Sequence, residues 1–557
     1  MITAGPSGPV FFGPRSTERK KGDCMVRNGA FRGRTIAVVD DLSLDEQRYV
    51  YRKARELKEA AMGGRSTSAF RLDERDYSVY LIFLEDSTRT RESFRNAAEF
   101  LGARTNPFDA ATSSFNKNES MSDAVKMLAG YAEDSCFVVR SKLEGVCRWL
   151  EDSLGAYARA RGRPVPAFIN AGDGKHEHPT QEFLDEYSFL EQLGGDDSRI
   201  HIALTGDLHH GRTAHSKVDG LRVFKEARVD LVAPDPLGMP PHYVERMRRN
   251  GYDVRLFESL DEYLDSGGGG KVAPIWYFTR LQLERMGDDI VEKAPRLRAA
   301  LTFRKDMIGK LPEGARFYHP LPRDRAAPTN PIFLDATPLN GWDAQSANGY
   351  WTRIVLLGMV SGLLGEDFEG EGKKPERFVD DFVVEAPVVE HPKPEYKVGI
   401  KPVEEGIVID HIATGRPIEE IWANIDAVRR ILKLNVRSSH GVYHTSAGPD
   451  SFKGIVSLPD ITSFGERDLK KLAAIAPGCT LNLVRGRRVA KKFRLATPPR
   501  IYAFDEISCK NPACVSAPAH SEGATPGFLR RTGANALSVF ACRYCEREHG
   551  FREIWDL

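Results

Sequence analysis

Five consecutive residues, Ser87-Thr88-Arg89-Thr90-Arg91, concentrate three hydroxyls and two guanidinium groups at one point of the chain. The apolar run Val79-Tyr80-Leu81-Ile82-Phe83-Leu84 precedes them, and Phe94, Ala97, Ala98 and Leu101 follow at helical spacing. That order reads as a buried strand, a turn and a helix with the polar cluster at its mouth. Unpaired N–H groups, the positive end of the helix dipole and forked guanidinium donors together suit a phosphate. Taken alone, the segment has a plainer reading: Ser87 or Thr88 caps the helix and the arginines are solvated.

Five more strand ends or turns carry comparable chemistry. Arg140 follows the run Cys136–Val139, and Gly172-Asp173-Gly174-Lys175-His176-Glu177-His178-Pro179-Thr180-Gln181 follows Ala167–Ala171. Gly206-Asp207-Leu208-His209-His210-Gly211-Arg212-Thr213 follows Ile200–Thr205, and Phe278-Thr279-Arg280-Leu281-Gln282 follows Val272–Tyr277. Tyr318-His319-Pro320-Leu321-Pro322-Arg323 is a proline-bracketed turn. Singly, an Arg140 or Arg212 is most often a surface ion pair and a His178 a cap. Together they describe a pocket of donors for anionic oxygens and carbonyls.

The elements that must position these groups are α/β units. From Arg34 to about Gly365, short apolar runs alternate with helical patterns; the expected strands are Tyr80–Leu84, Cys136–Val139, Ala167–Ala171, Ile200–Thr205, Asp230–Ala233 and Val272–Tyr277. The polar clusters follow the strands' C-terminal ends, the edge at which open α/β sheets bind ligands. Between Gly365 and Val398 acidic residues, lysine and proline dominate, which reads as a semi-extended linker. Beyond it, Gly406–Ile412 and Thr480–Val484 suggest a mixed sheet with helices, and a last small unit begins near Pro498.

Ser87–Arg91, His178-Pro179-Thr180-Gln181, Gly206-Asp207-Leu208…Gly211-Arg212-Thr213 and His319-Pro320-Leu321-Pro322-Arg323 resemble, in this order, the motifs of the carbamoyltransferases. The resemblance covers about residues 34 to 365. Its aspartate branch fits best: ornithine enzymes usually have His-Cys-Leu-Pro where this chain has His319-Pro320-Leu321-Pro322, and they carry a Ser-Met-Gly loop that is missing here. The resemblance implies transfer of a carbamoyl group from carbamoyl phosphate to L-aspartate, an early step of pyrimidine biosynthesis. Ser87, Thr88, Arg89 and Thr90 would hold the phosphate, and Arg140, His178 and Thr90 would donate to the carbamoyl oxygen as it gains charge. Gln181 and the Leu321 carbonyl beside Pro322 would accept from the carbamoyl NH₂. Arg212 and Arg280, supported by Gln282, would clamp the aspartate carboxylates. The catalytic set is therefore Arg89, Thr90, Arg140, His178 and Gln181, with no covalent nucleophile, catalytic metal or organic cofactor expected.

Thr112–Ser120 resembles the family's mobile loop, in which Ser113 and Lys117 would reach a neighbouring subunit's site and so imply a homotrimer or larger assembly. Taken alone it reads equally as a solvated polar loop. Two departures stand out: His209-His210 where Lys-Tyr is usual, and Asn118 where Gly is common.

In the second half, Cys509, Cys514, Cys542 and Cys545 form Cys-x4-Cys…x27…Cys-x2-Cys. Two close pairs of thiolates suit tetrahedral Zn²⁺, and four protein ligands leave no place for water, so the site reads as structural. Gly406–Ile412, Asn482, Lys492 and the cysteines resemble the regulatory chain of aspartate carbamoyltransferase over about residues 396 to 557, here fused to the catalytic part. That resemblance maps an effector nucleotide such as CTP or ATP onto Asp410, His411, Asn482 and Lys492, with the basic run Arg485–Arg494 for its phosphates; taken alone that run reads as a solvated face or, less often, a nucleic-acid patch. A lysine of the family pattern falls at Ser457, with Lys453 nearby.

The expected architecture is two doubly wound parallel-sheet subdomains, an α+β nucleotide-binding domain and a small zinc-binding β domain. The expected boundaries are 1–33 (disordered extension), 34–185 with helix 343–365 (carbamoyl phosphate), 186–342 (aspartate), 366–397 (linker), 398–497 (nucleotide) and 498–557 (zinc). A chain of 557 residues accommodates these units. Net charge +1 gives no field that selects nucleic acid or anionic membrane, and no apolar stretch approaches the ~20 residues of a membrane span. A cytoplasmic enzyme is expected. Two other readings stay open: a carbamoyltransferase for another acceptor such as ornithine, and a non-catalytic nucleotide-binding scaffold.

Overall fold

The computed structural model describes residues 31–72, 77–108, 119–266, 272–282, 293–324, 328–374, 378, 382–388, 403–502, 504–520, 522–532, 538–550 and 552–556. The first sheet has the order β2-β1-β3-β4, all parallel: β1 (Tyr77–Phe83), β2 (Arg104–Phe108), β3 (Asp134–Ser141) and β4 (Ala167–Asp173). The second has the order β7-β6-β5-β8-β9, also parallel: β5 (Arg199–Thr205), β6 (Glu226–Val232), β7 (Asp253–Phe257), β8 (Ile275–Phe278) and β9 (Arg316–Tyr318). The central strands are nearly continuous apolar runs because helices cover both faces. β1 and β8 are buried at every position.

The helices between the strands are α1 (Leu44–Met62), α2 (Thr88–Leu101), α3 (Met121–Ala129), α4 (Val146–Ala160), α5 (Pro179–Gln192), α6 (Arg212–Gly220), α7 (Pro241–Arg249), α8 (Leu260–Asp265), α9 (Ala294–Leu301) and α10 (Trp342–Ser361). α10 returns from the second sheet to pack against α1, α2 and α5. Its residues Ile354–Gly358 are all buried, which anchors the return.

Register then gathers the loops. Phe83 pairs with Arg140, Ser141 with Asp173, Thr205 with Phe278, and Tyr277 with Tyr318, so the polar segments leave the two sheets side by side.

All six expected strands of this half are present. The three the sequence reading missed, β2, β7 and β9, lie at sheet edges. β2 contains Pro107, which an edge tolerates, and β2 and β7 are only half buried, so neither shows a continuous apolar run.

The regulatory half begins with an antiparallel sheet of order β10-β15-β14-β11-β13-β12: β10 (Val383–Ala386), β11 (Glu405–Ile412), β12 (Ser439–His444), β13 (Phe452–Leu458), β14 (Thr480–Arg485) and β15 (Arg488–Leu495). Helices α11 (Ile418–Ile431) and α12 (Glu466–Ile475) pack on one another and supply apolar faces to its core. The last sheet is β16 (Arg500–Tyr502), β17 (Gly527–Thr532), β18 (Ser538–Cys542) and β19 (Glu548–His549), antiparallel in that order.

Two expectations are narrowed. Residues 1–30 lie outside the described set, but Phe31 is buried and stacks with Tyr49, so the fold already includes the end of the expected extension. Within the expected linker 366–397, Asp367 accepts from Tyr49 Oη at 2.6 Å and Lys373 Nζ pairs with Asp40 at 2.7 Å. Val383–Ala386 is moreover a strand paired with β15, its Phe382 neighbour being buried. Local proline and charge content concealed these contacts, which are long-range.

The small C-terminal module docks on the catalytic half. Glu144 N–H donates to Ala513 O at 2.8 Å, Val515 N–H donates to Glu144 O at 3.0 Å, and Asn511 Nδ2 donates to Glu144 Oε2 at 2.6 Å. Glu144 Oε1 accepts from Lys175 N–H at 3.0 Å, so one side chain joins the module to the loop that leads to His178. Gly145, at φ +77°, passes so near that a Cβ would lie 2.4 Å from the Tyr544 backbone. Among the described residues, no helix is long and apolar enough to cross a membrane.

Candidate active site

The polar loops converge on a cleft of about 900 Å³ between the two parallel sheets. Ser87, Thr88, Arg89, Thr90, Arg140, His178, Gln181, Arg212, Arg280, Gln282, Leu321 and Pro322 all line it. Twelve of the fourteen expected substrate contacts are thus brought together; Ser113 and Lys117 lie outside the described residues, as does Asn118.

At one wall, α2 begins with Thr88, and Ser87 occupies the cap position without a side-chain cap bond. Its hydroxyl therefore does not do the work of an ordinary cap. The first free N–H groups of α2 adjoin Arg89, whose charged form is disfavoured by partial burial. This end of the cleft is built for an anion.

Arg140 projects from the end of β3. Its Nη1 donates to Ala171 O at 2.8 Å, while its buried Nε has no hydrogen-bond partner. Burial, and then the neighbouring Arg212, lower its pKa to about 10, which leaves it cationic at neutral pH. Gly172, at φ +113°, permits this crowding: a Cβ there would lie 2.8 Å from Arg140 Nη1. Arg212, at the start of α6, donates to Gly174 O at 2.8 Å and faces Glu85 at 3.4 Å.

His178 occupies the N-cap position of α5, makes no side-chain cap bond, and is buried. Burial first, then Arg140, Arg212 and Arg353, hold its pKa well below the ordinary imidazole value. It is a neutral ring with an N–H to give, not a proton donor. Thr180 Oγ1 lies 3.4 Å from Nδ1, which leaves Nε2–H as the donor when that hydroxyl bonds to Nδ1. Gln181 Nε2 donates to Asp185 Oδ1 at 2.8 Å, leaving the amide oxygen as an acceptor.

Across the cleft, Leu321 holds φ +52°, sparsely populated for a leucine, and donates its N–H to His319 Nδ1 at 2.8 Å. His319 is neutral, its pKa lowered to about 3 by burial and then by Arg323, Arg89 and Arg280. Gln282 N–H donates to Asp207 Oδ2 at 3.2 Å, which ties the Arg280 loop to the Gly206–Thr213 loop. His210, in the unusual His-His pair, is buried against Asp207 at 3.1 Å, and burial keeps it below its ordinary pKa. His210 therefore adds no cation at neutral pH.

Sequence reasoning missed Glu85, Lys142, Gln345 and Arg353, which also line the cleft. Arg353 comes from the middle of α10, is buried, and donates from Nη1 to Ser93 Oγ at 2.9 Å. Nothing in its local sequence distinguishes it from an ordinary helix arginine. Glu85 was legible: it is the first charge after the β1 run.

The geometry meets its counterparts in known proteins. Residues 34–191 match the carbamoyl-phosphate-binding domain of aspartate/ornithine carbamoyltransferase. Residues 398–496 match the allosteric domain, and 499–555 the metal-binding domain, of the aspartate carbamoyltransferase regulatory chain. "Protein PyrBI" of Thermotoga maritima is 53% identical over 534 residues, 95% of this chain and 99% of that protein. The chain belongs to the aspartate carbamoyltransferases. It is a fused catalytic–regulatory member. "Protein PyrBI" of Treponema denticola is 49% identical over 94% of this chain and 98% of its own length. The crystal structure of aspartate transcarbamoylase from Trypanosoma cruzi, in complex with N-(phosphonacetyl)-L-aspartic acid, is 28% identical with a TM-score of 0.50. It covers 60% of this chain and 97% of its own. The activity is therefore carbamoyl transfer to aspartate, and the ornithine and scaffold readings are not favoured.

Two further groups of residues singled out in the sequence lie in the regulatory half of this aspartate carbamoyltransferase. Ser457, Val408, Asn482 and Lys492 form one cross-strand row, and Asp410 and Thr480 pair two residues further along. His411, at φ +62°, places Nδ1 3.2 Å from Thr480 Oγ1. Asp410, His411, Asn482 and Lys492 therefore adjoin. Lys453, near the serine that departs from the family pattern, pairs with Asp410 at 2.7 Å.

Cys509, Cys514, Cys542 and Cys545 are buried, with Sγ atoms within 4.8 Å of one another. Cys509–Cys545 and Cys514–Cys542 are each 3.7 Å apart. A tetrahedron with metal–sulfur bonds of about 2.3 Å has edges of about 3.8 Å, so the thiolates fit one metal ion. His549 Nε2 lies 3.5 Å from Cys509 Sγ, a contact suited to a donor behind a thiolate ligand.

Proposed function

We propose that the cleft catalyses attack of the L-aspartate amine on the carbonyl carbon of carbamoyl phosphate, giving N-carbamoyl-L-aspartate and phosphate for pyrimidine synthesis. Ser87, Thr88, Arg89, Thr90 and the α2 N-terminus bind the phosphate. Arg140, the neutral His178 and Thr90 donate to the carbonyl oxygen as the new C–N bond forms and that oxygen turns anionic. Gln181 and the carbonyls of Leu321 and Pro322 orient the carbamoyl NH₂. Arg212 and Arg280, the latter braced through Gln282, hold the aspartate carboxylates. The oxyanion then collapses, the bond between the carbonyl carbon and the bridging phosphate oxygen breaks, and the departing phosphate takes the amine proton.

The observation that supports this best is the convergence of separate guanidinium groups and a neutral imidazole on one cleft at a helix N-terminus. It also explains why no general base is required: catalysis is positioning together with electrostatic stabilisation. The relatives support the substrates, since one Trypanosoma cruzi structure is in complex with carbamoyl phosphate and aspartate, at 26% identity and a TM-score of 0.50. A colorimetric carbamoyl-amino-acid assay, run with carbamoyl phosphate and a panel of amino acids, tests the reading. Turnover of ornithine without aspartate would contradict it.

The same reading divides the catalytic half at about residue 185 and makes residues 366–397 the connector to the regulatory half. It assigns Zn²⁺ to the four cysteines, where it holds the small module together, and CTP or ATP to Asp410, His411, Asn482 and Lys492. The Lys453–Asp410 pair stands where a nucleotide would have to compete for Asp410. Ser113 and Lys117 complete a neighbour's site, which makes the working unit a trimer or a multiple of it. None of the seven described cysteines is in a disulfide, in keeping with a cytoplasmic enzyme.

A further inference from the structure

The loop between β4 and α5 carries a second buried imidazole that carbamoyl transfer does not use. His176 Nδ1 lies 3.0 Å from Asp173 Oδ2, and the carboxylate can only accept, so Nδ1 carries the proton. Asp173 is itself fixed: Oδ2 accepts from Gly145 N–H at 2.7 Å, and Oδ1 accepts from Glu177 N–H at 3.0 Å and Asn170 Nδ2 at 2.9 Å. The ring is therefore locked with Nε2 pointing away from Asp173. That Nε2 is buried without a hydrogen-bond partner, in a side chain 7% exposed.

It faces a carboxylate from the other half of the chain. Glu546, the residue after Cys545, sets Oε2 3.9 Å from His176 Nε2, beyond hydrogen-bond range. Arg531 lies 3.8 Å from the other oxygen, Oε1, and so leaves Oε2 to the imidazole. Glu177, anchored through Oε2 by Val39 N–H at 2.9 Å, adds a second carboxylate. His176, Glu177 and Glu546 each offer a ligand atom within 4.8 Å of the other two.

We propose that His176, Glu177 and Glu546 bind a divalent first-row cation, zinc or its like, at the junction of the catalytic half and the cysteine module. An imidazole whose other nitrogen is held by a carboxylate is the usual arrangement behind a metal-binding histidine. One imidazole and two carboxylates suit such an ion, with positions left for water. Ligands at about 2.1 Å from one ion lie about 3.0 to 4.2 Å apart as their angle at the ion opens from about 90° to 180°, a range that includes the His176–Glu546 separation. The two carboxylates balance the ion's charge. The site is separate from the four cysteines, and it ties the loop ending at His178 to the module that docks on Glu144.

Metal analysis of the full-length chain, dialysed against zinc chloride and desalted, tests the proposal. Two zinc ions per chain are expected for the wild type, and one for His176→Ala and Glu546→Gln, in which the cysteine site stays loaded. One zinc per wild-type chain, or two retained in His176→Ala, would overturn it. Should either variant fail to fold, anomalous diffraction at the zinc edge from wild-type crystals decides the matter. A second peak beside His176 Nε2 supports the site, and a peak at the cysteines alone defeats it, leaving an ordinary His176–Glu546 ion pair.

Discussion

Asp185 Oδ1 receives the Gln181 amide N–H at 2.8 Å and so fixes which end of that amide faces the cleft. The same oxygen accepts from Gln345 Nε2 at 2.6 Å, and Oδ2 accepts from the fully buried Lys217 at 2.7 Å. The relay is closed. Asp185→Asn replaces one acceptor atom with a donor and frees the Gln181 amide to turn over. The expected loss in kcat is about tenfold to a hundredfold, from one charge-assisted hydrogen bond of roughly 1.5–3 kcal/mol. The KM for aspartate should hold. A rise in that KM with kcat intact would show that Gln181 needs no such anchor.

In the proposed mechanism His178 serves as a neutral hydrogen-bond donor, because burial and three arginines keep it from protonating. His178→Ala should therefore lower kcat by about a hundredfold or more, the usual cost of one oxyanion donor. The wild-type kcat profile should show no limb near the ordinary histidine pKa that the variant then loses. Steady-state rates across the pH range check both points. A histidine limb abolished by the substitution would mean that His178 transfers a proton.

Removal of metal from the cysteines should detach the module that contains them. Four buried thiolates without a cation repel one another, and they sit beside Val515, Phe528, Phe540, Tyr544 and Trp555 in the module's own part of the core. Treatment with a mercurial followed by chelation is expected to unmask proteolytic cleavage near residue 498 and to free Glu144 for solvent exchange. Protection of the Glu144 and Val515 amides that survived zinc loss would contradict a metal-dependent dock.

A buried acidic cluster predicts a pH dependence of stability. Lys217 pairs with Glu182 and Asp185 and lies near Glu186, and burial first of all raises Glu186 from 4.5 to about 7. The folded state thus holds a proton that the unfolded state has already lost, so stability declines as pH rises from about 4.5 through about 7. Glu186→Gln mimics the protonated form. Its melting temperature should match the wild type near about pH 5 and exceed it by several degrees near about pH 9. An equal offset at both values would rule the proton out.

How much of this was legible in the sequence depended on range. β1, β3, β4, β5 and β8 announced themselves as apolar runs, and each delivered its polar loop to the cleft. Register could not be read, yet Phe83 opposite Arg140 and Thr205 opposite Phe278 are what bring those loops together. Arg353 and Lys217 were invisible because each looks like a solvated helix residue until α10 and α6 bury it. β10 was hidden for a related reason: a strand of four residues in a charged, proline-rich stretch has meaning only beside β15.

The central claim is that one cleft holds both substrates at once, phosphate at the α2 N-terminus and aspartate on Arg212 and Arg280. Calorimetric titration with N-(phosphonacetyl)-L-aspartate measures this directly, because that molecule joins both recognition groups. The account predicts binding at least about a hundredfold tighter than carbamoyl phosphate alone, with the gain lost in Arg280→Ala. Affinity no better than that of carbamoyl phosphate, or unchanged in Arg280→Ala, would contradict it.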